Sequence, residues 1–188
     1  MFNYQIIIEY LGTNYVGWQI QKNGASVQSI IQKTLKKVLK SKIKIIGSGR
    51  TDAGVHAKGQ SANFIYNQEI KNKYKFLSSM NFFLKDKSIS IIKINKKNIN
   101  FNARHKVKKK RYKYIILNRL ITSPLYENRS WLIKKKLDII QMKKGIKFFF
   151  GKTQLYSNES SIMCSEKPYK NYYQGRNKKK GKQNCYNF

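Results

Sequence analysis

Acidic residues are scarce in this sequence, with 8 Asp and Glu against 40 Lys and Arg among 188 residues. The eight are Glu9, Asp52, Glu69, Asp86, Glu127, Asp138, Glu159 and Glu166. They form no DxD or ExxE pair, the arrangement of carboxylates that holds Mg²⁺ in nucleases and polymerases. Metal-assisted phosphoryl chemistry is therefore not expected.

Other common sequence signals are missing too. The two cysteines, Cys164 and Cys185, are too few for a disulfide framework and lie in no Cys/His metal pattern, so no metal is expected. Neither GxxxxGK[ST] nor GxGxxG occurs, which favours a protein without a cofactor. No apolar stretch approaches the ~20 residues of a membrane-spanning helix, and residues 1–8 do not resemble a signal peptide. We expect a cytoplasmic protein with no membrane contact.

Positive charge is the dominant feature of the composition, with a formal net charge of +32 at pH 7. Such an excess favours a polyanionic partner, and nucleic acid is the polyanion that a basic surface most often binds. The charge alone leaves two alternatives open. An AT-rich genome inflates lysine whatever the function, and a basic surface can also contact anionic lipid.

The order of helical and extended patterns predicts an α+β fold. Apolar and β-branched runs predict strands, and apolar residues at helical spacing predict helices. The predicted strands are residues 4–10, 42–46, 60–66 and 88–94 and a long strand within 101–118, and the predicted helices are 27–39, 74–84 and 137–150. Ser26 is the expected N-cap of the first helix. This order suggests helices packed on one face of a mixed, mainly antiparallel sheet.

Asp52 is the only acidic residue between Glu9 and Glu69, and it lies in a loop bounded by Gly49 and Gly54. A lone carboxylate close to Arg50 would stay ionised and could act as a nucleophile or base. The alternative is that Arg50 and Asp52 form an ordinary loop salt bridge, which would contribute little.

A cationic stretch with interleaved aromatic residues follows at residues 104–114. On a strand, Tyr112 and Tyr114 would share one face, and Arg111 and Lys113 the other. Aromatic rings stack on unpaired bases while cations follow phosphates. The alternative is that the two tyrosines belong to the core and the lysines to a solvated edge.

Several segments resemble one family. Residues 49–57, GRTDAGVHA, are similar to the signature of the tRNA pseudouridine synthase A family, and residues 10–21, YLGTNYVGWQIQ, are similar to its N-terminal pattern. Residues 77–84 with Asn81 resemble its second helix, and FNAR at 101–104 followed by RYKY at 111–114 resembles its FxAR…RxYxY strand. The matching segments keep the family's order over about residues 3–151.

The resemblance implies isomerisation of uridine to pseudouridine at positions 38, 39 and 40 of the tRNA anticodon stem-loop, without metal or cofactor. It implies that Asp52 is the catalytic nucleophile, that Arg50 holds Asp52 and the opened site, and that Tyr112 stacks on the uracil. Arg104 and Arg111 are implied as further substrate-binding residues, and a homodimer as the working form. A non-catalytic, basic tRNA- or RNA-binding protein is the alternative function.

The sequence departs from the family pattern after about residue 151. In a shifted reading frame, the codons of residues 153–155 can spell His-Asn-Phe and those of 163–172 can restore a second family segment. We therefore hypothesise a single-base slip near residues 148–152. The expected organisation is an N-terminal half at residues 1–105 that carries the catalytic loop, the start of a C-terminal half at 106–151, and an aberrant, disordered tail at 152–188.

Overall fold

A four-stranded antiparallel sheet forms the centre of the first of two compact units, Met1–Lys110 and Arg111–Phe188. The computed structural model describes residues 1–146 and 185–187. The sheet has the strand order β2-β3-β1-β4. Its elements are β1 (Phe2–Tyr10), α1 (Val27–Leu39), β2 (Ile45–Gly47), β3 (Ala57–Tyr66), α2 (Lys73–Leu84) and β4 (Ile89–Lys97).

Alternating burial from Tyr4 to Tyr10 of β1 gives the sheet two different faces. Tyr4, Ile6, Ile8 and Tyr10 are at most 2% exposed and face the helices, while the residues between them face the other way. In β4 the register with β1 shifts by one residue at Ile92. This β-bulge leaves the flanking isoleucines of β4 on the buried face, where the core needs them.

Both helices cover the same face of this sheet. Val27, Ile31 and Leu35 of α1 are fully buried at helical spacing, and Phe76, Met80 and Leu84 of α2 join the same core cluster. Helices on one face of an antiparallel sheet confirm the predicted architecture.

The start of α1 also agrees with the sequence. The Ser26 hydroxyl accepts a hydrogen bond from the Ser29 N–H at 3.2 Å, and the Ser29 hydroxyl accepts one from the Ser26 N–H at 3.3 Å. This reciprocal capping box satisfies two donors and confirms Ser26 as the N-cap.

The second unit contains a small mixed sheet with the order β6-β5-β7. Its elements are β5 (Ile115–Asn118), β6 (Trp131–Ile133), α3 (Ile139–Ile146) and β7 (Cys185–Asn187). β5 pairs parallel with β6 and antiparallel with β7. The Asn118 amide fixes the end of β5 by donating to the carbonyls of Ile133 and Lys135.

Three predictions at the C-terminal side need correction or lie partly outside the described residues. The long strand within residues 101–118 is wrong, because only Ile115–Asn118 is a strand and residues 107–114 have no regular structure. A strand needs hydrogen-bonding neighbours, and in the described residues β6 and β7 pair only with residues 115–118. Of the predicted helix 137–150, residues 139–146 are helical and 147–150 lie outside the described residues. Of the predicted tail 152–188, the structure describes only residues 185–187, which form β7.

Candidate active site

The loop that joins β2 to β3, residues 48–56, is called the Asp52 loop below. The Ser48 N–H donates to the Ser61 carbonyl at 2.8 Å, which continues the β2–β3 pairing by one residue. The Gln60 side-chain amide donates to the Gly49 carbonyl at 2.6 Å. The root of the loop is therefore tied to β3, and the predicted loop between strands is confirmed.

A second loop, residues 11–26, follows β1 and packs against the Asp52 loop. The Trp18 N–H donates to the Thr51 carbonyl at 3.0 Å, and the Gly54 N–H donates to the Tyr15 carbonyl at 3.2 Å. These two bonds run in opposite directions and lie on either side of Asp52 in the chain. The backbone around the carboxylate is therefore held from outside its own loop.

Side chains make two further bonds here, one from the last residue of β1 to the Asp52 loop and one between the two loops. The Tyr10 hydroxyl and the Thr51 hydroxyl lie 2.9 Å apart. The Gly12 N–H donates to His56 Nδ1, also at 2.9 Å. Thr51, the residue before Asp52, is thus bonded through both its backbone and its side chain.

Two glycines allow this close approach. A Cβ at Gly12 would collide with the carbonyl oxygen of Val55, and a Cβ at Gly17 would collide with that of Thr51. Gly17 also has a φ of +103°, which L side chains rarely adopt. Gly12 and Gly17 therefore allow the second loop to pack against the Asp52 loop.

Asp52 is exposed and lines a cavity of about 540 Å³. The other lining residues are Val16, Gln19, Gln21, Arg50, Thr51 and Ala53. The cavity falls within the ~300–1,000 Å³ range of small-molecule sites. It combines one carboxylate, one guanidinium and two amides, a set suited to a polar substrate.

The Arg50–Asp52 ion pair that both sequence interpretations assumed is not found. Both side chains are exposed, and Lys96–Glu69 is the one ion pair among residues 1–146. Two solvated charges gain little from pairing, since the attraction is weak in water and ordering two side chains opposes it. Asp52 therefore faces the cavity without a protein counter-ion among the described residues.

The other predicted site residues lie elsewhere in the chain. Arg104 belongs to the first unit, is exposed and does not line the cavity. Arg111 and Tyr112 belong to the second unit, ahead of β5, and the Tyr112 side chain is 71% exposed. Of the five predicted residues, the structure brings Arg50 and Asp52 together at one cavity.

Five lining residues were not singled out from the sequence, namely Val16, Gln19, Gln21, Thr51 and Ala53. Three of them belong to the segment 10–21, which stood out only for its family pattern. The glycines of that segment were a usable signal, because a loop that needs both Gly12 and Gly17 lies close to other backbone.

Metal and membrane signals are also missing from the described structure. In residues 1–146 and 185–187, no three His, Cys, Asp or Glu side chains cluster in a way that could hold a metal ion. No helix within those ranges is long and apolar enough to cross a membrane.

Tyr10→Phe tests how firmly Thr51 is held. Burial raises the pKa of Tyr10 above its ordinary value of 10.0, and the Thr51 hydrogen bond offsets a smaller part of that rise. We expect Tyr10→Phe to lower the free energy of unfolding at pH 7 by about 1 kcal/mol, the typical value of one hydrogen bond.

The pH dependence of this difference follows from the sign of the shift. The stabilisation that comes from keeping the buried hydroxyl neutral is fully present below pH 10, and it is lost as the pH rises through the higher folded-state pKa. The free energies of unfolding of the unmutated chain and Tyr10→Phe, measured with urea, should therefore differ less above pH 10 than at pH 7. We call this difference the gap between the two proteins. Tyr74→Phe, at a side chain that is 81% exposed, is the control. A gap that is constant with pH would contradict the expectation.

Comparison with known proteins identifies relatives of this chain. A family model described as tRNA pseudouridine synthase matches residues 6–106, which contain both loops of the site. A tRNA pseudouridine synthase A of Pelagibacter ubique (strain HTCC1062) is 53% identical over 167 residues, which cover 89% of this chain and 68% of the relative. Because the match covers 89% of this chain, it includes some of the chain's residues after residue 151.

Two other relatives carry the same name. The protein of Thermoanaerobacter sp. (strain X514) is 44% identical over 151 residues, with 80% of this chain and 61% of the relative covered. That of Orientia tsutsugamushi (strain Ikeda) is 33% identical over 206 residues, with 90% and 73% covered. This chain belongs to the tRNA pseudouridine synthase family, a family of enzymes that make pseudouridine in tRNA. It spans about two thirds of the length of these relatives.

Proposed function

We propose that this chain isomerises uridine to pseudouridine at positions 38, 39 and 40 of the tRNA anticodon stem-loop, with Asp52 as the catalytic nucleophile. The observation that carries the proposal is the exposed Asp52 carboxylate at a cavity. Its loop is held from outside by Trp18 and Tyr15. Both loops lie within the part of the chain that matches the family.

The reaction adds and removes no atoms overall. The Asp52 carboxylate adds to the nucleoside, either at C1′ of the ribose or to the uracil ring, and the bond between C1′ and N1 breaks. The uracil then turns, C1′ bonds to C5, the bond between the nucleoside and Asp52 breaks to restore the carboxylate, the proton on C5 leaves and N1 gains a proton. An ionised carboxylate is the form that such an addition needs.

The position of the carboxylate fits a substrate that leaves its stack. A uridine within a stem-loop must swing out before any protein group can reach its glycosidic bond. A carboxylate on a loop that is fixed at its backbone can meet the flipped nucleoside with little reorganisation. Since Arg50 lines the same cavity without pairing to Asp52, its guanidinium is available to a phosphate or to the displaced base.

The residues outside the cavity receive roles from the family resemblance. Tyr112 would stack on the uracil and assist removal of the C5 proton, and its largely exposed ring leaves a face for a base. Arg104 and Arg111 would bind phosphates of the tRNA, since both are exposed cations.

We also propose that the chain works in the cytoplasm as a homodimer on tRNA. The net charge of +32 supports an RNA partner, because RNA carries one phosphate per nucleotide and releases counterions when cations bind it. The dimer rests on the family resemblance alone.

Tritium release tests the function directly. Uridine labelled with tritium at C5 loses the label when C5 bonds to C1′, so the unmutated chain should release label from a tRNA transcript. A matched transcript with cytidine at positions 38, 39 and 40 should release none. Tight tRNA binding without release would overturn the catalytic proposal in favour of a non-catalytic RNA-binding protein, and equal release from both transcripts would overturn the assigned positions.

A further inference from the structure

Two asparagines lie in neighbouring strands on the face of the first sheet opposite α1 and α2. Asn3 in β1 and Asn63 in β3 are 1% and 2% exposed. In the strand register Asn63 lies opposite Gln5, so Asn3 is its diagonal neighbour. The Asn63 side-chain NH₂ donates to Asn3 Oδ1 at 3.1 Å. We call these two residues the amide pair.

The segment that covers the amide pair is residues 98–103. Asn3 Nδ2 donates to the carbonyls of Asn98, Ile99 and Phe101 at 3.2, 3.1 and 2.7 Å. The Phe101 carbonyl also accepts from Asn63 Nδ2 at 3.2 Å. The amide pair therefore supplies donors to a segment that crosses the sheet without joining its ladder.

The last anchoring bond runs in the other direction. The Ala103 N–H donates to Asn63 Oδ1 at 2.8 Å, and Ala103 is 3% exposed. Asparagine is a poor strand residue and its buried amide is costly unless satisfied, whereas an apolar residue would cover this face more simply. What the amides add is a fixed path for the backbone of residues 98–103.

The chain that leaves this anchor is strongly cationic. Residues 104–110 are called the cationic segment, and its five exposed cations are Arg104, Lys106, Lys108, Lys109 and Lys110. Its first turn is held by Asn102, whose side-chain oxygen accepts from the Arg104 N–H at 2.9 Å and whose carbonyl accepts from the Lys106 N–H at 3.0 Å. The backbone that carries Arg104 and Lys106 is therefore held in a defined position.

The far end of the cationic segment lies at the root of the Asp52 loop. The ammonium nitrogen of Lys110 is 3.1 Å from the point that a Cβ on Gly49 would occupy. The segment therefore begins at the buried amide pair and ends beside the residue that precedes Arg50.

We propose that Asn3 and Asn63 are positioning residues. They fix the cationic segment as a phosphate-binding surface that extends to the Asp52 loop. The identity of the RNA as tRNA rests on the proposed function. Cations already held in place lose less conformational freedom when they bind phosphates, so the anchor should strengthen RNA binding without acting on the chemical step.

The test compares Asn63→Ala with Gln5→Ala in the full chain. Gln5 lies opposite Asn63 on the same face, and its amide donates to the Ser61 hydroxyl at 2.8 Å, away from residues 98–103. We expect Asn63→Ala to weaken tRNA binding about tenfold and to reduce the slope of log Kd against log salt by about 1 to 2. Gln5→Ala should change the affinity by less than about twofold.

Further measurements separate positioning from general stability. In Asn63→Ala the Ala103 amide should lose its protection from hydrogen exchange. The affinity loss of the double variant Asn63→Ala with Arg104→Gln should be smaller than the sum of the two single losses. With an active chain, KM for tRNA should rise while kcat stays within about twofold. Because affinity and salt slope need no turnover, an inactive chain overturns the proposed function and leaves this test decisive.

Three results would overturn the proposal. One is an unchanged salt slope in folded Asn63→Ala. Another is an equal loss of affinity in Gln5→Ala. The third is an unchanged slope in Arg104→Gln combined with Lys106→Gln, two exposed changes that leave the amide pair intact. If Asn63→Ala does not fold, Asn3→Ala takes its place, because it removes the donor to the carbonyls of Asn98, Ile99 and Phe101 without adding a charge, and its slope should fall in the same direction.

Discussion

Asp52→Asn is expected to lower tritium release from C5-labelled tRNA by at least about a thousandfold, because a neutral amide cannot act as the anionic nucleophile. The substitution keeps the size and shape of the side chain. Neither carboxylate oxygen of Asp52 has a hydrogen-bond partner among the described residues, so the hold on Thr51 should survive. The loss should therefore appear in kcat.

Affinity for tRNA should respond in the opposite sense. On a chain with a net charge of +32, removing one negative charge leaves the phosphate contacts intact, so binding should be unchanged or slightly tighter. Filter binding at two salt concentrations measures this. Asp86→Asn is the matched control, an exposed carboxylate in the 3-10 turn Lys85–Lys87, and should leave release within about twofold. Asp52→Ala guards against deamidation back to Asp. Release that persists in Asp52→Ala would end its assignment as nucleophile.

Local patterns were enough to predict the elements that bury apolar side chains. The first helix is found at its predicted bounds because Val27, Ile31 and Leu35 repeat at helical spacing behind a capping serine. The strand ending at Tyr10 was predicted from its apolar, β-branched run, and every second residue from Tyr4 to Tyr10 is buried. Such elements can be predicted from local sequence patterns because one face of each lies in the core.

The long strand within residues 101–118 failed for a physical reason. Residues 101–103 cross the sheet, but their partners are the side chains of Asn3 and Asn63, which no periodicity reveals. Residues 108–114 are all cations or tyrosines, which need no burial. β6 escaped prediction because a three-residue strand carries too little pattern to detect.

The site was predicted to a similar extent. The isolation of Asp52 among acidic residues and the flanking glycines identified its loop. The contacts of Trp18, Tyr15 and Tyr10 with that loop depend on the sheet order, which brings the end of β1 beside the start of β3. Residues about 40 positions apart in sequence meet there, so spacing alone could not predict them.

Gly17→Ala should strongly disturb the packing of the two loops. The new Cβ would collide with the Thr51 carbonyl oxygen, and the residue would have to hold a φ of +103°. The carbonyl cannot easily move away, because the Trp18 N–H donates to it. We expect the free energy of unfolding to fall by about 3 kcal/mol, from positive-φ strain plus the backbone collision. Tritium release should fall by roughly a hundredfold, since an ångström-scale displacement of Asp52 has that effect.

Two other glycines separate the causes of this loss. Gly54 has a φ of +78°, but a Cβ there would meet no atom within 4 Å, so Gly54→Ala should cost only the strain, about 1–2 kcal/mol. Gly59 in β3 would meet only Ile7, at an ordinary 3.8 Å, so Gly59→Ala should change stability by about 0.5 kcal/mol or less. Urea unfolding of the three variants gives the order directly. If Gly17→Ala were at least as stable as Gly54→Ala, the loop of residues 11–26 would hold Thr51 less tightly than its contacts indicate. The position of Asp52 would then depend on the Asp52 loop alone.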